Sequence, residues 1–284
     1  MAPLPDPYDL SSSSCACRVY SHGGHVVAWT PSGGLPGLWL SPLARLDSSA
    51  AIRGGVPIVF PWFGTGRNGA MTPSHGFGRL NDWQPGTVER SADRVTAEFL
   101  LDSSHASSEL FPHDYRARYV VSAGARLALT LTVTNLSDTA FAYETALHAY
   151  LAVGDVRQVT VEGLDGARYV DKVAGPTDAA QVQAGPIRFG SEVDRVYRST
   201  GEIRAVDPVL RRTLVIRTTG SGSTIVWNPG PVRAAEPKAA DIGAEHWHEF
   251  VCVEGGNVGS DAVTLAPGED STMTYELAVE PHLA

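Results

Sequence analysis

Cysteine is scarce in this sequence of 284 residues, which contains only Cys15, Cys17 and Cys252. So few cysteines, odd in number, exclude a disulfide framework and indicate reduced thiols. The N-terminus lacks the basic and apolar regions of a signal peptide. No apolar run approaches the roughly 20 residues that a membrane helix needs. We therefore expect a cytoplasmic protein without a membrane partner.

Positive charge is also in short supply. The chain has 22 Lys and Arg residues against 31 Asp and Glu, which gives a formal net charge of −9. This balance argues against a general nucleic-acid binder. Any anionic ligand would need a local basic pocket, because the overall field of the protein opposes its approach.

Long helical periodicity is absent, and at most a short helix fits residues 241–250. Alternation of apolar and polar residues, or short apolar runs, instead mark six strand-like segments, namely 94–99, 127–134, 213–219, 224–229, 249–254 and 272–279. The 29 glycines and 19 prolines lie between such segments as turn residues. Many short strands separated by turns predict an all-β protein, a sandwich or a barrel.

The chain shows no change of composition or linker after about residue 18. Residues 1–17 are rich in proline and serine, which favours a flexible N-terminal arm. We therefore predict one domain over residues 18–284, since all-β folds often reach about 250 residues as a single unit.

Two glycine-rich segments carry candidate binding residues. The first, AIRGGVPIVFPWFG (51–64), contains Arg53, and the second, TPSHGFGRLNDW (72–83), contains His75 and Arg79. A guanidinium can hold an anion with two hydrogen bonds, so converging arginines would suit a phosphate. Alternatively, both arginines form surface ion pairs and His75 satisfies loop carbonyls.

Three further segments carry titratable residues beside apolar runs. They are YETALHAYLAVGD with His148, EFVCVEGGNVG with Glu254 and SEVDRVYRST with Asp194. An imidazole can act as a general acid near neutral pH, and a partly buried carboxyl can act as a base. Alternatively, His148 is a core histidine, Glu254 reaches solvent at a strand end and Asp194 pairs with Arg195.

One group of cysteine and histidine residues has the ligand types of a structural zinc site. Cys15, Cys17, His22 and His25 form a C-x-C-x₄-H-x₂-H pattern, whereas zinc fingers have wider spacing between the cysteines and before the histidines. His246 and His248 lack an evident third ligand. We therefore expect neither a metal nor another cofactor.

Taken together, the segments resemble the glucose-6-phosphate 1-epimerases (D-hexose-6-phosphate mutarotases) of the aldose 1-epimerase superfamily. The matching motifs occur in family order from about residue 18 to the C-terminus. They are IRGGVPIVFPWFG, HGFGR, ALHAYLAVGD, VEGL with YVDK, VDRVY, VWNP and FVCVEGGNV.

The resemblance implies a large antiparallel β-sandwich of the galactose mutarotase type with few short helices. It also implies an acid–base pair, which falls on His148 and Glu254. The implied substrate contacts fall on Arg53, Arg79 and Asp194, with the arginines near a phosphate and His75 as a second sugar contact. The expected partner is a small-molecule sugar phosphate, and the expected state is a monomer.

Three other functions stay open at this point. A mutarotase of free aldoses and a non-catalytic sugar-binding sandwich would share much of this pattern. A polysaccharide-acting enzyme would need two carboxylates about 5–10 Å apart, and the sequence nominates only Glu254.

Overall fold

The predicted alternation becomes strands in the computed structural model, which describes residues 3–173 and 181–281. The first eleven strands are β1 (Tyr8–Asp9), β2 (Cys15–Tyr20), β3 (His25–Pro31), β4 (Ile58–Val59), β5 (Gln84–Arg90), β6 (Val95–Asp102), β7 (Tyr115–Ala123), β8 (Leu127–Asn135), β9 (Phe141–Tyr143), β10 (Thr145–Leu147) and β11 (Tyr150–Ala152). The others are β12 (Thr160–Glu162), β13 (Arg168–Asp171), β14 (Gln181–Val182), β15 (Ile187–Arg188), β16 (Val193–Arg198), β17 (Ile203–Asp207), β18 (Arg212–Thr219), β19 (Ser223–Asn228), β20 (Phe250–Asn257), β21 (Val263–Leu265) and β22 (Asp270–Pro281). Each of the six predicted segments lies in or overlaps one of these strands.

A nine-stranded antiparallel sheet forms one layer, in the order β15-β12-β17-β18-β22-β8-β7-β6-β5. In β8, Leu127, Leu129, Leu131 and Val133 are buried, while the residues between them are half-buried. Successive side chains of a strand point to opposite faces, so this alternation leaves one apolar face for the core. Burying each large side chain contributes about 1.5–3 kcal/mol.

Strand β5 lies at the edge of this sheet and is exposed along its whole length. It contains Pro85 and the charged residues Glu89 and Arg90, and its register with β6 shifts between Pro85 and Val88. Proline, charge and register irregularity all discourage pairing with another chain, so this edge is protected against association.

An eight-stranded antiparallel sheet forms the second layer, with the main order β14-β13-β16-β19-β20-β10-β4 and β11 also paired to β20. The two layers share one apolar core. Across it, the Tyr275 hydroxyl of β22 donates to the Val253 carbonyl of β20 at 2.9 Å. Smaller sheets join β1, β2 and β3 and pair β21 with β9. The predicted all-β sandwich is confirmed.

Helices are few and short, as expected. The one α-helix in the described residues is α1 (Gly230–Ala234), and the 3-10 helices are Gly78–Leu80, Val156–Gln158, Pro237–Ala239, Trp247–Glu249 and Gly259–Asp261. Of the helix expected within residues 241–250, only Trp247–Glu249 forms. Within the described ranges, no helix has the length and apolar character needed to cross a membrane.

The N-terminal segment differs from the expected arm. Strand β1 pairs with β2, and β2 begins at Cys15, so the boundary expected after residue 17 falls inside a strand. Leu10, Cys15 and Cys17 are buried in the core. The proline and serine content hid this contribution because the buried positions are spread thinly among polar residues.

Candidate active site

Strand register brings the candidate residues of the second layer to one face. Asp194 of β16 lies opposite Trp227 of β19, which lies opposite Cys252 of β20. Directly paired residues of antiparallel strands share a face, and so do residues two apart on one strand. Glu254 therefore lies on the same face as Asp194, while Val253 points the other way into the core between the layers.

His148 occupies a break between two short strands that both pair with β20. Leu147 of β10 lies opposite Gly255, and Tyr150 of β11 lies opposite Cys252. In the break, the backbone N–H of His148 donates to the Pro57 carbonyl at 3.0 Å. The imidazole Nε2 consequently lies 3.3 Å from Oε1 of Glu254.

This pair is buried, since the exposed fraction is 11% for the His148 side chain and 1% for that of Glu254. Burial disfavours the charged form of each group, so it lowers the pKa of His148 well below its ordinary value and raises that of Glu254 well above. The preferred state of the pair alone is a neutral imidazole beside a carboxylic acid. Counted relative to a neutral imidazole and a carboxylate, the pair holds one additional proton. The two groups are close enough to transfer it between them.

Arg53 precedes a tight turn at Gly54 and Gly55, which have positive φ values of 105° and 60°. A Cβ at Gly54 would lie 2.5 Å from the carbonyl oxygen of Trp39, and one at Gly55 would collide with the carbonyl of Val26. Only glycine fits both positions, because the backbone is left-handed and another backbone segment is in contact at each. The turn directs the chain past Arg53 into β4.

Two hydrogen bonds orient the Arg53 guanidinium. Its Nε donates to Oδ2 of Asp241 at 3.0 Å, and its Nη1 donates to the Tyr150 hydroxyl at 2.8 Å. Burial alone would lower the pKa of Arg53, but Tyr150 and Asp241 outweigh it and raise the pKa above its ordinary value. Arg53 is therefore a fixed cation with N–H groups left for a ligand.

Arg79 has a different environment. Its Nη2 donates to the Ser74 carbonyl at 2.7 Å, and within the described residues no carboxylate pairs with it. Its Nε is buried without a hydrogen-bond partner there. Burial lowers the pKa of Arg79 to about 10, and the charge of nearby Arg53 acts in the same direction. Of the two neighbouring arginines only Arg53 has a carboxylate partner within the described residues, so the pair favours an anionic ligand.

His75 has a left-handed backbone with φ 64°, and the Gly64 N–H donates to its Nδ1 at 3.3 Å. Burial lowers the pKa of His75 to about 3, so the ring is neutral near pH 7. A neutral ring that accepts at Nδ1 carries its proton on Nε2. His75 can therefore donate to a hydroxyl group, and its ring centroid lies 5.8 Å from that of His148.

Asp194 completes the set of predicted residues. Burial raises its pKa, while Lys172, whose Nζ lies 3.7 Å from Oδ2 of Asp194, opposes the shift. Lys172 also lies over the ring of Phe63, with Nζ 4.7 Å from the centroid. The alternative Asp194–Arg195 pair does not form, since Nε of Arg195 lies 3.1 Å from Oδ2 of Asp171.

All six predicted residues line one cavity of about 480 Å³, which suits a sugar-sized ligand. The sequence reasoning missed Lys172, Trp227, Arg233 and Lys238, which line it as well. Lys172 lies in the YVDK motif, but that motif gave no sign of which side chain reaches the cavity. Arg233 and Lys238 belong to the loosely patterned stretch after β19, where nothing in the sequence indicated contact.

The fold and the cavity together define a class, a β-sandwich protein with a buried histidine–glutamate pair in a cationic pocket. Elsewhere in the described part of the chain, no three His, Cys, Asp or Glu side chains are grouped to hold a metal ion. His22 instead bonds Asp82 at 3.1 Å, and His25 bonds the Gly54 carbonyl at 2.7 Å.

Comparison with known proteins makes the class specific. The aldose 1-epimerase family profile matches residues 7–278. A Cenchrus ciliaris protein with the provisional name glucose-6-phosphate 1-epimerase is 32% identical over 94% of this chain and 82% of its own length. An Escherichia coli protein with the same provisional name is 34% identical over 82% of this chain and 76% of its own. The crystal structure of a provisionally named mutarotase from Salmonella typhimurium has a TM-score of 0.84 at 29% identity, covering 96% of this chain and 91% of that one.

The chain therefore belongs to the aldose 1-epimerase family, and it is an epimerase acting on sugars. The resemblance seen in the sequence motifs is confirmed.

Proposed function

We propose that this protein interconverts the α and β anomers of a hexose 6-phosphate, with glucose 6-phosphate as the first candidate. The contact of 3.3 Å between His148 and Glu254 inside a cationic cavity carries the proposal. Ring opening needs an acid and a base, and a phosphate needs local positive charge in a chain of net charge −9. The provisional names of two relatives agree with this substrate.

Anomer exchange requires two coupled proton transfers. The base removes the proton of O1, the C1–O1 double bond forms, and the bond from C1 to the ring oxygen breaks as that oxygen takes a proton from the acid. After rotation about C1–C2, the ring oxygen attacks the other face of the aldehyde and the transfers run in reverse. No atom is added or removed, so the reaction needs only these transfers.

In the proposed assignment, Glu254 is the base at O1 and His148 is the acid at the ring oxygen. This requires the shared proton to reside on His148 when substrate is bound. Arg53 and Arg79 both lower the pKa of His148, whereas of these two only Arg79 acts on Glu254. A phosphate that neutralises both arginines therefore raises the pKa of His148 more than that of Glu254 and favours imidazolium. The proton can cross from Glu254 to His148 without uptake from solvent, because the total stays at one.

The arginines anchor the substrate in this scheme. Arg53 and Arg79 bind the phosphate, while Asp194 and His75 hydrogen-bond the sugar hydroxyls. Remote binding of the phosphate holds the sugar while C1 rotates, which is how binding energy away from the reacting atoms orients them.

Magnetisation-transfer NMR of α and β signals tests the proposal. We expect the parent protein to accelerate exchange of glucose 6-phosphate well above the rate in buffer. His148→Gln should slow it by about 10²–10⁴-fold, the usual contribution of a placed proton transfer. Arg79→Met should slow glucose 6-phosphate more than glucose, because only the former has the phosphate.

Arg116→Met serves as the control, since Arg116 is an exposed residue of β7 in the other layer. Equal acceleration of glucose and glucose 6-phosphate would replace the proposal with a free-aldose mutarotase. Exchange no faster than buffer for either sugar would contradict the proposed reaction and indicate a binding protein.

A further inference from the structure

Tyr150 contacts two residues that line the cavity, Arg53 and His148, although the sequence motifs did not identify it as a candidate. Its ring stacks on the His148 imidazole with centroids 4.9 Å apart and an interplanar angle of 11°. Its hydroxyl accepts the hydrogen bond from Nη1 of Arg53 at 2.8 Å. One side chain therefore touches the proposed acid through its face and the proposed phosphate anchor through its oxygen.

The Tyr150 ring has little freedom to move. It is 1% exposed and packs against three other aromatic rings, with centroid distances of 5.9 Å to Trp39, 6.1 Å to Trp227 and 5.2 Å to Phe250. Its backbone N–H donates to the Gly55 carbonyl, and its carbonyl accepts from the Trp39 N–H, both at 2.9 Å. The side chains that contact this ring, Arg53 and His148, are therefore held in fixed positions as well.

The Arg53 guanidinium depends on two such contacts for its orientation. Asp241 binds Nε from the segment that follows Pro237–Ala239, and Tyr150 binds Nη1 from β11. Without the Tyr150 hydroxyl, Asp241 alone would remain, and a single hydrogen bond leaves a long side chain free to rotate. Loss of the hydroxyl would thus disturb the anion site while leaving the stacked ring in place.

We propose that Tyr150 is a positioning residue that fixes the Arg53 guanidinium and the His148 imidazole relative to each other. A sugar phosphate anchored at the arginine then presents its anomeric carbon at the imidazole. The inference rests on the proposed function and adds to it a residue that acts through Arg53 and His148.

Tyr150→Phe separates the two contacts, because it removes the hydroxyl and keeps the ring. We expect KM for glucose 6-phosphate to rise about tenfold, since a hydrogen bond to a charged group is lost, while kcat changes far less. Tyr150→Leu also removes the stacking ring, and kcat should fall as well. Tyr115→Phe is the matched control, because the buried Tyr115 hydroxyl bonds the Ala106 carbonyl at 2.7 Å in the other layer.

A double-mutant cycle with Arg53→Met distinguishes positioning from general packing. If Tyr150 acts through Arg53, Tyr150→Phe should add little to KM once Arg53 is Met, because interacting residues are not additive. Circular dichroism and thermal unfolding show whether each variant is folded.

An unchanged KM in folded Tyr150→Phe, or effects that simply add in the cycle, would overturn the inference while leaving the proposed function standing. So would an equal loss of kcat for glucose and glucose 6-phosphate in this variant. A parent protein that does not exchange glucose 6-phosphate would overturn the proposed function itself, before any variant is compared.

Discussion

The two layers of the sandwich have the same antiparallel strand geometry, but their outer faces have different surroundings. In the nine-stranded sheet, β8 alternates buried apolar and half-buried polar residues, and its Thr130 and Thr132 hydroxyls bond their counterparts on β22. In the eight-stranded sheet, all eight residues of β20 are buried, including Glu254. One layer has a core face and a solvent face, whereas the other has a core face and a cavity face.

Unsatisfied polar groups are concentrated around the cavity. Seven buried side-chain atoms lack a hydrogen-bond partner among the described residues. Four of them belong to residues in or directly behind the cavity, namely Arg79, His148, Asp241 and Glu254. Two others, in Tyr119 and Arg212, belong to the nine-stranded sheet. Because each such group costs stability, the cavity retains polar groups at the expense of folding free energy.

The largest expected effect is a loss of anomer exchange, caused by a substitution in the eight-stranded sheet that leaves the protein folded. Glu254→Gln keeps the size of the side chain and removes its proton exchange, so anomer exchange should fall by about 10²–10⁴-fold. Thr132→Val, on the outer face of the other layer, should leave the rate unchanged. Magnetisation-transfer NMR measures both, with thermal unfolding as the check on folding. A Glu254→Gln rate within tenfold of the parent would contradict the proposed base.

The next largest effect is a loss of stability, caused by a substitution in the core of the nine-stranded sheet. Leu129 of β8 is fully buried, so Leu129→Ala should lower the free energy of unfolding by about 2–5 kcal/mol through lost contacts and a cavity. Exchange per folded molecule should stay near the parent value, since the site lies on the far face of the other sheet. Urea unfolding followed by fluorescence measures the loss, with half-buried Thr130→Ala as the control. A drop in kcat of folded Leu129→Ala as large as that of Glu254→Gln would contradict this comparison. The nine-stranded sheet would then determine the reaction rate as well as stability.

The smallest effect concerns pH and sharpens the comparison without a mutation. Burial lowers the pKa of His148 below 6.5, so the pair takes up a second proton only at lower pH. Burial raises the pKa of Glu254 above 4.5, so the pair loses its last proton only at higher pH. The one-proton state, with the proton on Glu254, therefore lies between the lowered pKa of His148 and the raised pKa of Glu254. We expect kcat/KM, which reports the protein without bound substrate, to have its acid limb below pH 6.5 and its alkaline limb above pH 4.5.

Glucose provides the control for this profile, because a sugar phosphate itself titrates near pH 6. His75 does not interfere, since its pKa of about 3 keeps it neutral across the range. An acid limb of kcat/KM at pH 6.5 or above with both sugars would contradict the lowered pKa of His148.

Sequence reasoning worked best where one strand is enough to express the pattern. The alternation at 127–134 directly predicted β8, because a residue's face depends only on its parity along the strand. It failed at the N-terminus, where the buried Cys15 and Cys17 belong to a strand that polar neighbours disguise. It also failed for Arg233 and Lys238, whose place in the cavity depends on how an irregular segment folds back over the sheet.

The candidate residues themselves came from motifs and family resemblance, but their meeting could not be read along the chain. Asp194 and Arg195 are adjacent, and the sequence left their pairing open. The register between β13 and β16 resolved it by giving Arg195 the Asp171 carboxylate and leaving Asp194 beside Lys172. Such partners are set by strand pairing over long separations, which local propensity does not encode.

By itself the sequence determined the strand periodicity, the glycine turn after Arg53 and the chemical types available for proton transfer, because these depend on neighbouring residues only. The tertiary structure alone decided that the break between β10 and β11 meets β20 at Glu254, which brings the imidazole within 3.3 Å of the carboxyl group. The physical reason is that this proximity depends on strand pairing between distant segments, which neighbouring residues do not encode.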